Sequence, residues 1–304
     1  MKKVFTIISS NDGLPLSVVL IEPSADPKGI VQFAHGMCGC KERFLPVMEY
    51  LSDKGYVCIA NDHRGHGASI RHPKDLGYMY DGGWKALVSD MRQVTDWTVK
   101  AYPSLPVFLV GHSMGSLAAR TYVKFGDTSL SGLILCGSPS YTPVSAFGRM
   151  VTGGICAIGM GRMNTSLFQH MASWHYNRHF RDEGFQAWTC SDPEVRRSFA
   201  ADPLCACRFT ANASYSLLCM MRETYSSSGW LADNPHLPVL FLSGEDDPCM
   251  ISRAHLEKAV QHMRDMGYHD VRLITYEGMR HEVLNERNKK AVWDDIAAFI
   301  GSVL

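Results

Sequence analysis

The stretch "FLVGHSMGSLAAR", residues 108–120, decides how the rest of the chain reads. An apolar run ends at Gly111, His112 and Ser113 follow, and an Ala-rich helical pattern begins at once. Gly111-His112-Ser113-Met114-Gly115 fits G-x-S-x-G, the pattern in which a serine occupies a sharp, strained turn between a strand and a helix. Both glycines have a mechanical purpose, because strand and helix can close on each other only where no side chain intervenes. In a chain with 26 glycines the pattern alone is weak evidence. Its setting between a strand and a helix gives it weight. A phosphate-binding loop would place its second glycine later and follow it with lysine, and neither is present.

Outward from this turn, strand and helix signals alternate. Residues 4–10 and 16–21 flank Asn11-Asp12-Gly13 as a hairpin. Buried strands are expected at 30–34, 57–60, 107–110 and 132–136, with helices over 41–54, 84–102 and 114–125. The rhythm stops at Gly137. From there, Met, Trp, Phe and His recur at helical spacing, and Asp192-Pro193 and Asp202-Pro203 each look like an N-cap followed by a first helical residue. After Pro235 the alternation returns, with strands at 239–243 and 271–276 and helices over 251–266 and 288–303. Alternating strands and helices imply a mostly parallel sheet. The expected organisation is an α/β core of residues 1–137 and 235–304, interrupted by a helical insertion at 138–234.

Composition excludes several classes. The 304 residues are 46% hydrophobic and 20% charged, as in ordinary globular proteins. Thirty Lys and Arg balance thirty Asp and Glu without a run of like charge, so no nucleic-acid partner is expected. The apolar part of the N-terminus, residues 4–8, is too short for a secretory signal, and no run is long enough to span a membrane. A cytoplasmic location is therefore expected, with the ten scattered cysteines as reduced, buried thiols. Neither Cys38-Gly-Cys40 nor Cys205-Ala-Cys207 is a C-x-x-C pair, so no structural metal is expected. His63 and His66 in the loop 62–67, and His175 and His179 on an expected helix, have ligand-like spacing without a third partner. Structural roles are expected for all four.

A serine hydroxyl needs a base to take its proton and a carboxylate to orient that base. The sequence supplies both, in order, after late strands. "SGEDDPC" follows the strand at 239–243 and offers Glu245, Asp246 and Asp247, while "GMRHEVLNE" follows the strand at 271–276 and offers His281. Backbone donors for an oxyanion are expected at Met114, the residue after the serine, and at Met37, after the close-approach position Gly36.

Taken together, "FAHGM", "NDHRGHGAS", "VGHSMGS", "SGEDDPC" and "GMRHEVLNE" resemble the monoacylglycerol lipase and lysophospholipase branch of the α/β-hydrolases, also described as serine aminopeptidase S33-like. The resemblance runs from Val4 to the C-terminus, with 138–234 only loosely matching the family's cap. It implies an α/β-hydrolase fold, Ser113 as nucleophile, His281 as base, and the Met37 and Met114 amides as oxyanion donors. In the family's G-x-x-D-P form the acid is the Asp three after the Gly, here Asp247, with Asp246 its immediate competitor. Cleavage of carboxylic esters of acyl chains through an acyl-enzyme is implied, without cofactor or metal. An amidase, thioesterase or aminopeptidase would share the chemistry; a peptidase would need an acidic cluster, for which Asp182-Glu183 and Asp192 with Glu194 are the candidates. A binding protein on a hydrolase scaffold would lack part of this residue set.

The insertion is rich in flexible and aromatic side chains: Phe147, Met150, Met160, Met163, Phe168, Met171, Trp174, Phe180, Phe185, Trp188, Tyr215, Met220 and Met221. Such residues suit either an acyl pocket or helix packing. The stretch "VTGGICAIGMG" is a candidate mobile edge that meets lipid aggregates. Oligomeric state is not legible.

Overall fold

Short apolar runs pair into an eight-stranded sheet: β1 (Lys2–Ile8), β2 (Pro15–Ile21), β3 (Gly29–Ala34), β4 (Tyr56–Asn61), β5 (Val107–His112), β6 (Gly132–Cys136), β7 (Val239–Gly244) and β8 (Val271–Tyr276). The computed structural model describes residues 1–184, 186–205 and 207–304, and the backbone alone of Phe168. The expected pocket roles of Phe168 and Phe185 therefore lie outside the described residues. The strand order is β1-β2-β4-β3-β5-β6-β7-β8, with β1–β2 and β2–β4 antiparallel and every other pair parallel. Strands β3 to β7 are buried at every position, as parallel strands covered on both faces must be.

Helices cover both faces. On β5, Val107 and Leu109 pack with α2 (Gly83–Ala101), α3 (Met114–Lys124) and α8 (Arg253–Asp265). Phe108 and Val110 point the other way, onto α1 (Leu45–Asp53) and α9 (Lys289–Val303). This is the period-two alternation of a strand between two apolar layers. Strand order reverses between β3 and β5, because the chain runs from β3 to β4 on one side and then returns to β5 on the other. Crevices at such a reversal, beyond the carboxyl ends of the strands, are where open α/β sheets bind ligands.

Between β6 and β7 the chain forms α4 (Pro143–Ala157), α5 (Ser166–Asn177), α6 (Pro193–Ala201) and α7 (Ala211–Thr224). Helix α7 packs against α4 on one side and α3 on the other. The first Asp-Pro pair behaves as expected: the Asp192 carboxylate accepts the Glu194 N–H and Pro193 opens α6. The second does not. Helix α6 ends at Ala201, and the Asp202 carboxylate accepts the Leu204 N–H at 2.9 Å to close an isolated turn. The same short-range hydrogen bond serves a cap or a turn, so the sequence pair does not distinguish them. The helix expected over 41–54 is divided into a 3-10 turn at Lys41–Phe44 and α1. Among the described residues, no helix is long and apolar enough to cross a membrane.

Candidate active site

Strand β5 runs to His112, two residues beyond the expected end, and delivers Ser113 at the head of α3. Ser113 has φ 54° and ψ −119°, a conformation that favours glycine and costs about 1–3 kcal/mol elsewhere in proteins. The glycines explain how it is held. A Cβ on Gly115 would lie 2.0 Å from the Ala34 carbonyl oxygen, and one on Gly111 would lie 2.4 Å from the Gly115 carbonyl oxygen. Ser113 N–H donates to the Cys136 carbonyl at 3.0 Å, and the Ser116 hydroxyl donates to the Ser113 carbonyl at 2.6 Å. The turn is pinned from both sides.

Three side chains from distant loops meet here. His281 Nε2 lies 2.8 Å from Ser113 Oγ, and His281 Nδ1 lies 2.9 Å from Asp247 Oδ2. Asp247 is buried, and its other oxygen accepts the Cys249 N–H at 2.8 Å. Asp246 and Glu245 are exposed, with the Glu245 carboxylate accepting from Thr275. Burial pulls the His281 imidazole pKa down, but the Asp247 carboxylate beside it outweighs this and holds it well above the ordinary value. Gly36 abuts the serine, since a Cβ there would lie 3.0 Å from Ser113 Cβ. Met37 and Met114 follow Gly36 and Ser113 respectively, and both line the same cavity as Ser113 and His281.

Several supporting residues escaped sequence reasoning. His112 Nε2 lies 3.1 Å from the His281 carbonyl, an arrangement in which the ring must donate. Glu282 pairs with Arg43 at 2.8 Å; burial works against its charge, but the guanidinium holds the carboxyl well below the usual range. Arg280 donates to the Ala187 carbonyl and to Glu183, both at 2.6 Å, with its guanidinium 3.9 Å above the Phe180 ring. The Trp188 ring centroid lies 5.3 Å from that of His281. The loop carrying His281 is thus clamped by Phe180, Glu183, Ala187 and Trp188. The one signal available was the set of charges flanking His281 in "GMRHEVLNE".

The loop 62–67 is a buried scaffold. Asp62 accepts from Lys41 Nζ at 2.8 Å, and Arg64 donates to Asp90 at 2.8 Å. His35 Nε2 accepts the His63 N–H at 2.9 Å, which makes Nδ1 the protonated nitrogen facing the Gly36 carbonyl at 2.8 Å. His179 falls in the 3-10 segment Arg178–Glu183 after α5, so it shares no helix face with His175. Among the described residues, none of these histidines joins a group of potential metal ligands.

A cavity of about 1800 Å³ opens over Ser113. Phe147, Met171, Phe180, Trp188 and Met221 line it, together with Tyr176 and Leu217. Met150, Met160 and Trp174 are exposed outside its lining, Met163 and Tyr215 are half-buried outside it, and Met220 is buried in the core, so only part of the expected pocket set meets at the cavity.

The sequence profile of the serine aminopeptidase, S33, family (Hydrolase_4) matches residues 25–288. Over 295 residues the chain is 26% identical to a monoacylglycerol lipase of Mycolicibacterium smegmatis, spanning 93% of this chain and 91% of that one. Human monoglyceride lipase is 33% identical over 124 residues, which is 41% of this chain and 39% of that protein. Among solved structures, a thermostable carboxyl esterase from Bacillus coagulans in complex with glycerol matches with a TM-score of 0.90 and 26% identity, covering 99% of this chain and 98% of that one. With the fold and these matches in hand, the chain belongs to the serine aminopeptidase, S33, family of α/β-hydrolases, on the branch that holds the monoacylglycerol lipases.

Proposed function

We propose that this enzyme hydrolyses carboxylic esters of acyl chains, monoacylglycerols or lysophospholipids in class, through an acyl-enzyme on Ser113. The observation that carries the reading is the hydrogen-bonded line Ser113–His281–Asp247 beneath a large, mostly apolar cavity. His281 Nε2 takes the Ser113 proton as Oγ attacks the ester carbonyl carbon, and Asp247 keeps Nδ1 protonated and stabilises the imidazolium. The Met37 and Met114 N–H groups receive the oxyanion, the latter at the positive end of α3. The imidazolium returns its proton to the departing alcohol. Water then enters and attacks the acyl carbon as His281 removes its proton; the bond to Ser113 Oγ breaks, the imidazolium returns the proton to Oγ, and the acyl group leaves as a carboxylic acid.

Residues 138–234 act as a cap that holds the acyl chain. Val144, Phe147, Met150, Leu167, Met171 and Trp174 on α4 and α5 are all exposed, and Phe147 and Met171 also line the cavity. An apolar rim at the mouth of an acyl pocket suits passing contact with lipid aggregates. Residues 151–161, the expected mobile edge, form the end of α4 and the turn after it, beside that rim. Of the four acidic groups a peptidase would use, Glu183 is engaged by Arg280, Asp192 by the start of α6 and Glu194 by Arg197, while Asp182 is exposed. A cytoplasmic enzyme would keep its ten cysteines reduced; eight of them are buried, whereas Cys156 and Cys219 are half-buried.

The test is a series of monoacylglycerols and p-nitrophenyl esters of increasing chain length. The reading expects kcat/KM to rise with chain length, at about 0.8 kcal/mol per buried methylene or less. Indifference to chain length, or preference for a peptide amide, would overturn it.

A further inference from the structure

The two C-x-C pairs that sequence spacing set aside are brought together by the fold. Cys38 and Cys40 follow β3, and Cys205 and Cys207 lie between α6 and α7. Cys40 Sγ lies 3.6 Å from Cys205 Sγ across a separation of 165 residues, and the Cys38 thiol donates to the Cys207 carbonyl at 3.0 Å. Asp202 completes a triangle. Its Oδ2 lies 3.6 Å from Cys205 Sγ and 3.9 Å from Cys40 Sγ, while Oδ1 is held by the Leu204 N–H at 2.9 Å. The carboxylate is therefore oriented by the backbone, with one oxygen directed at two sulfurs.

Two thiolates and a carboxylate oxygen bound tetrahedrally to zinc, at about 2.3 and 2.0 Å, stand roughly 3.5–3.8 Å from one another. The three edges in this structure match that triangle to within about 0.4 Å. A disulfide would use the two sulfurs but gives no part to the carboxylate, and its sulfurs would be bonded at about 2.0 Å. We propose that Cys40, Cys205 and Asp202 form a binding site for a thiophilic divalent cation of the zinc class, with the fourth coordination position left to water. The backbone hydrogen bond that orients Asp202 is the kind of outer support that metal carboxylates require. Each thiol gives up its proton on binding, so two protons pass to solvent for each ion bound. Cys205 lines the cavity over Ser113, which offers the ion a route inward. Once bound, the ion joins the turn at Asp202 to the loop that carries the Met37 amide, and so sets how firmly the cap segment is held over the reaction site.

The experiment loads the reduced full-length protein with Zn²⁺, dialyses it against metal-free buffer and measures metal content, with Co²⁺ as a spectroscopic probe. The expected result is about one equivalent of zinc retained, and a Co²⁺ spectrum with tetrahedral d–d bands and a sulfur-to-cobalt charge-transfer band. Asp202→Asn should weaken zinc binding at least about tenfold. Cys40→Ser combined with Cys205→Ser should abolish it, with near-ultraviolet circular dichroism reporting on folding. Cys249→Ser should bind as the parent does, although Cys249 lies with Asp247 and His281 in the one other group of potential ligands among the described residues. A reduced parent protein that retains no zinc, a double variant that still binds, or a Cys249→Ser protein that does not, would each overturn the assignment. Should the double variant fail to fold, alkylation of the parent decides. Zinc must protect Cys40 and Cys205 from iodoacetamide, and equal labelling with and without zinc would overturn the site.

Discussion

Asp246 and Asp247 are neighbours in the sequence with opposite surroundings, one exposed and one buried against His281. Asp247→Asn should lower kcat by about 10⁴-fold, the order seen when a base loses its orienting carboxylate, while Asp246→Asn should leave it within about twofold. A second readout separates orientation from simple damage. His281 works only when neutral, and Asp247 raises its pKa, so activity should fall as pH drops through a value above the ordinary imidazole figure of about 6.5. Removing the carboxylate should move that acid limb to lower pH. An unmoved limb in Asp247→Asn would contradict the assignment. Gly36→Ala should cost about 10²-fold in kcat/KM with folding retained, because a Cβ 3.0 Å from Ser113 Cβ displaces the loop that carries the Met37 amide. Ser113 and His281 were legible in the sequence because the turn pattern and the late-strand loop announce them. The acid was legible only through the resemblance, whose G-x-x-D-P form points to Asp247; the residues alone leave Glu245, Asp246 and Asp247 open, because burial is what separates them. Arg43 and Glu282 were hidden for a plainer reason: 239 positions separate them.

Strands β3 to β7 read directly from apolar runs, because each is short, buried and closed by a turn signal, and so did α2 and α3 between β4 and β6. The segment between β6 and β7 read less well. Helices α4 and α6 are weakly buried, so the periodic pattern there has little packing to report, and the Asp202 turn imitates a helix start. If this segment meets lipid through α4 and α5, Phe147→Ser combined with Trp174→Ser should lower the rate on a monoacylglycerol emulsion severalfold. A short, soluble ester should be turned over as before. Equal loss on both substrates would place these residues in the general fold. The His281 loop has its own test: Glu282→Ala leaves the largely buried Arg43 guanidinium without its partner. A destabilisation of about 3 kcal/mol is expected, read as a lower urea midpoint.

At the scale of the whole molecule, the buried histidines make stability depend on pH. Burial lowers His35 to about 4 and His66 to about 3, lowers His262 to about 4, and lowers His63 and His112 as well. Between these values and about 6.5 the unfolded chain binds more protons than the folded one, so stability should fall as pH drops through that window. His281, raised rather than lowered, gains its stabilisation above this window, as pH falls towards about 6.5, and is charged in both states below it, so it adds no opposing slope inside the window. Urea midpoints that stay flat from pH 6.5 to 4.5 would contradict the histidine account. The reaction site itself lies where the strand order of the sheet reverses, so Ser113, Asp247 and His281 are joined only by the complete fold. The most direct measurement is the intact mass of the folded chain after treatment with a fluorophosphonate. The account predicts one covalent adduct, mapped to Ser113, absent in Ser113→Ala and strongly slowed in His281→Ala; an unmodified chain, or an adduct on another residue, would contradict it.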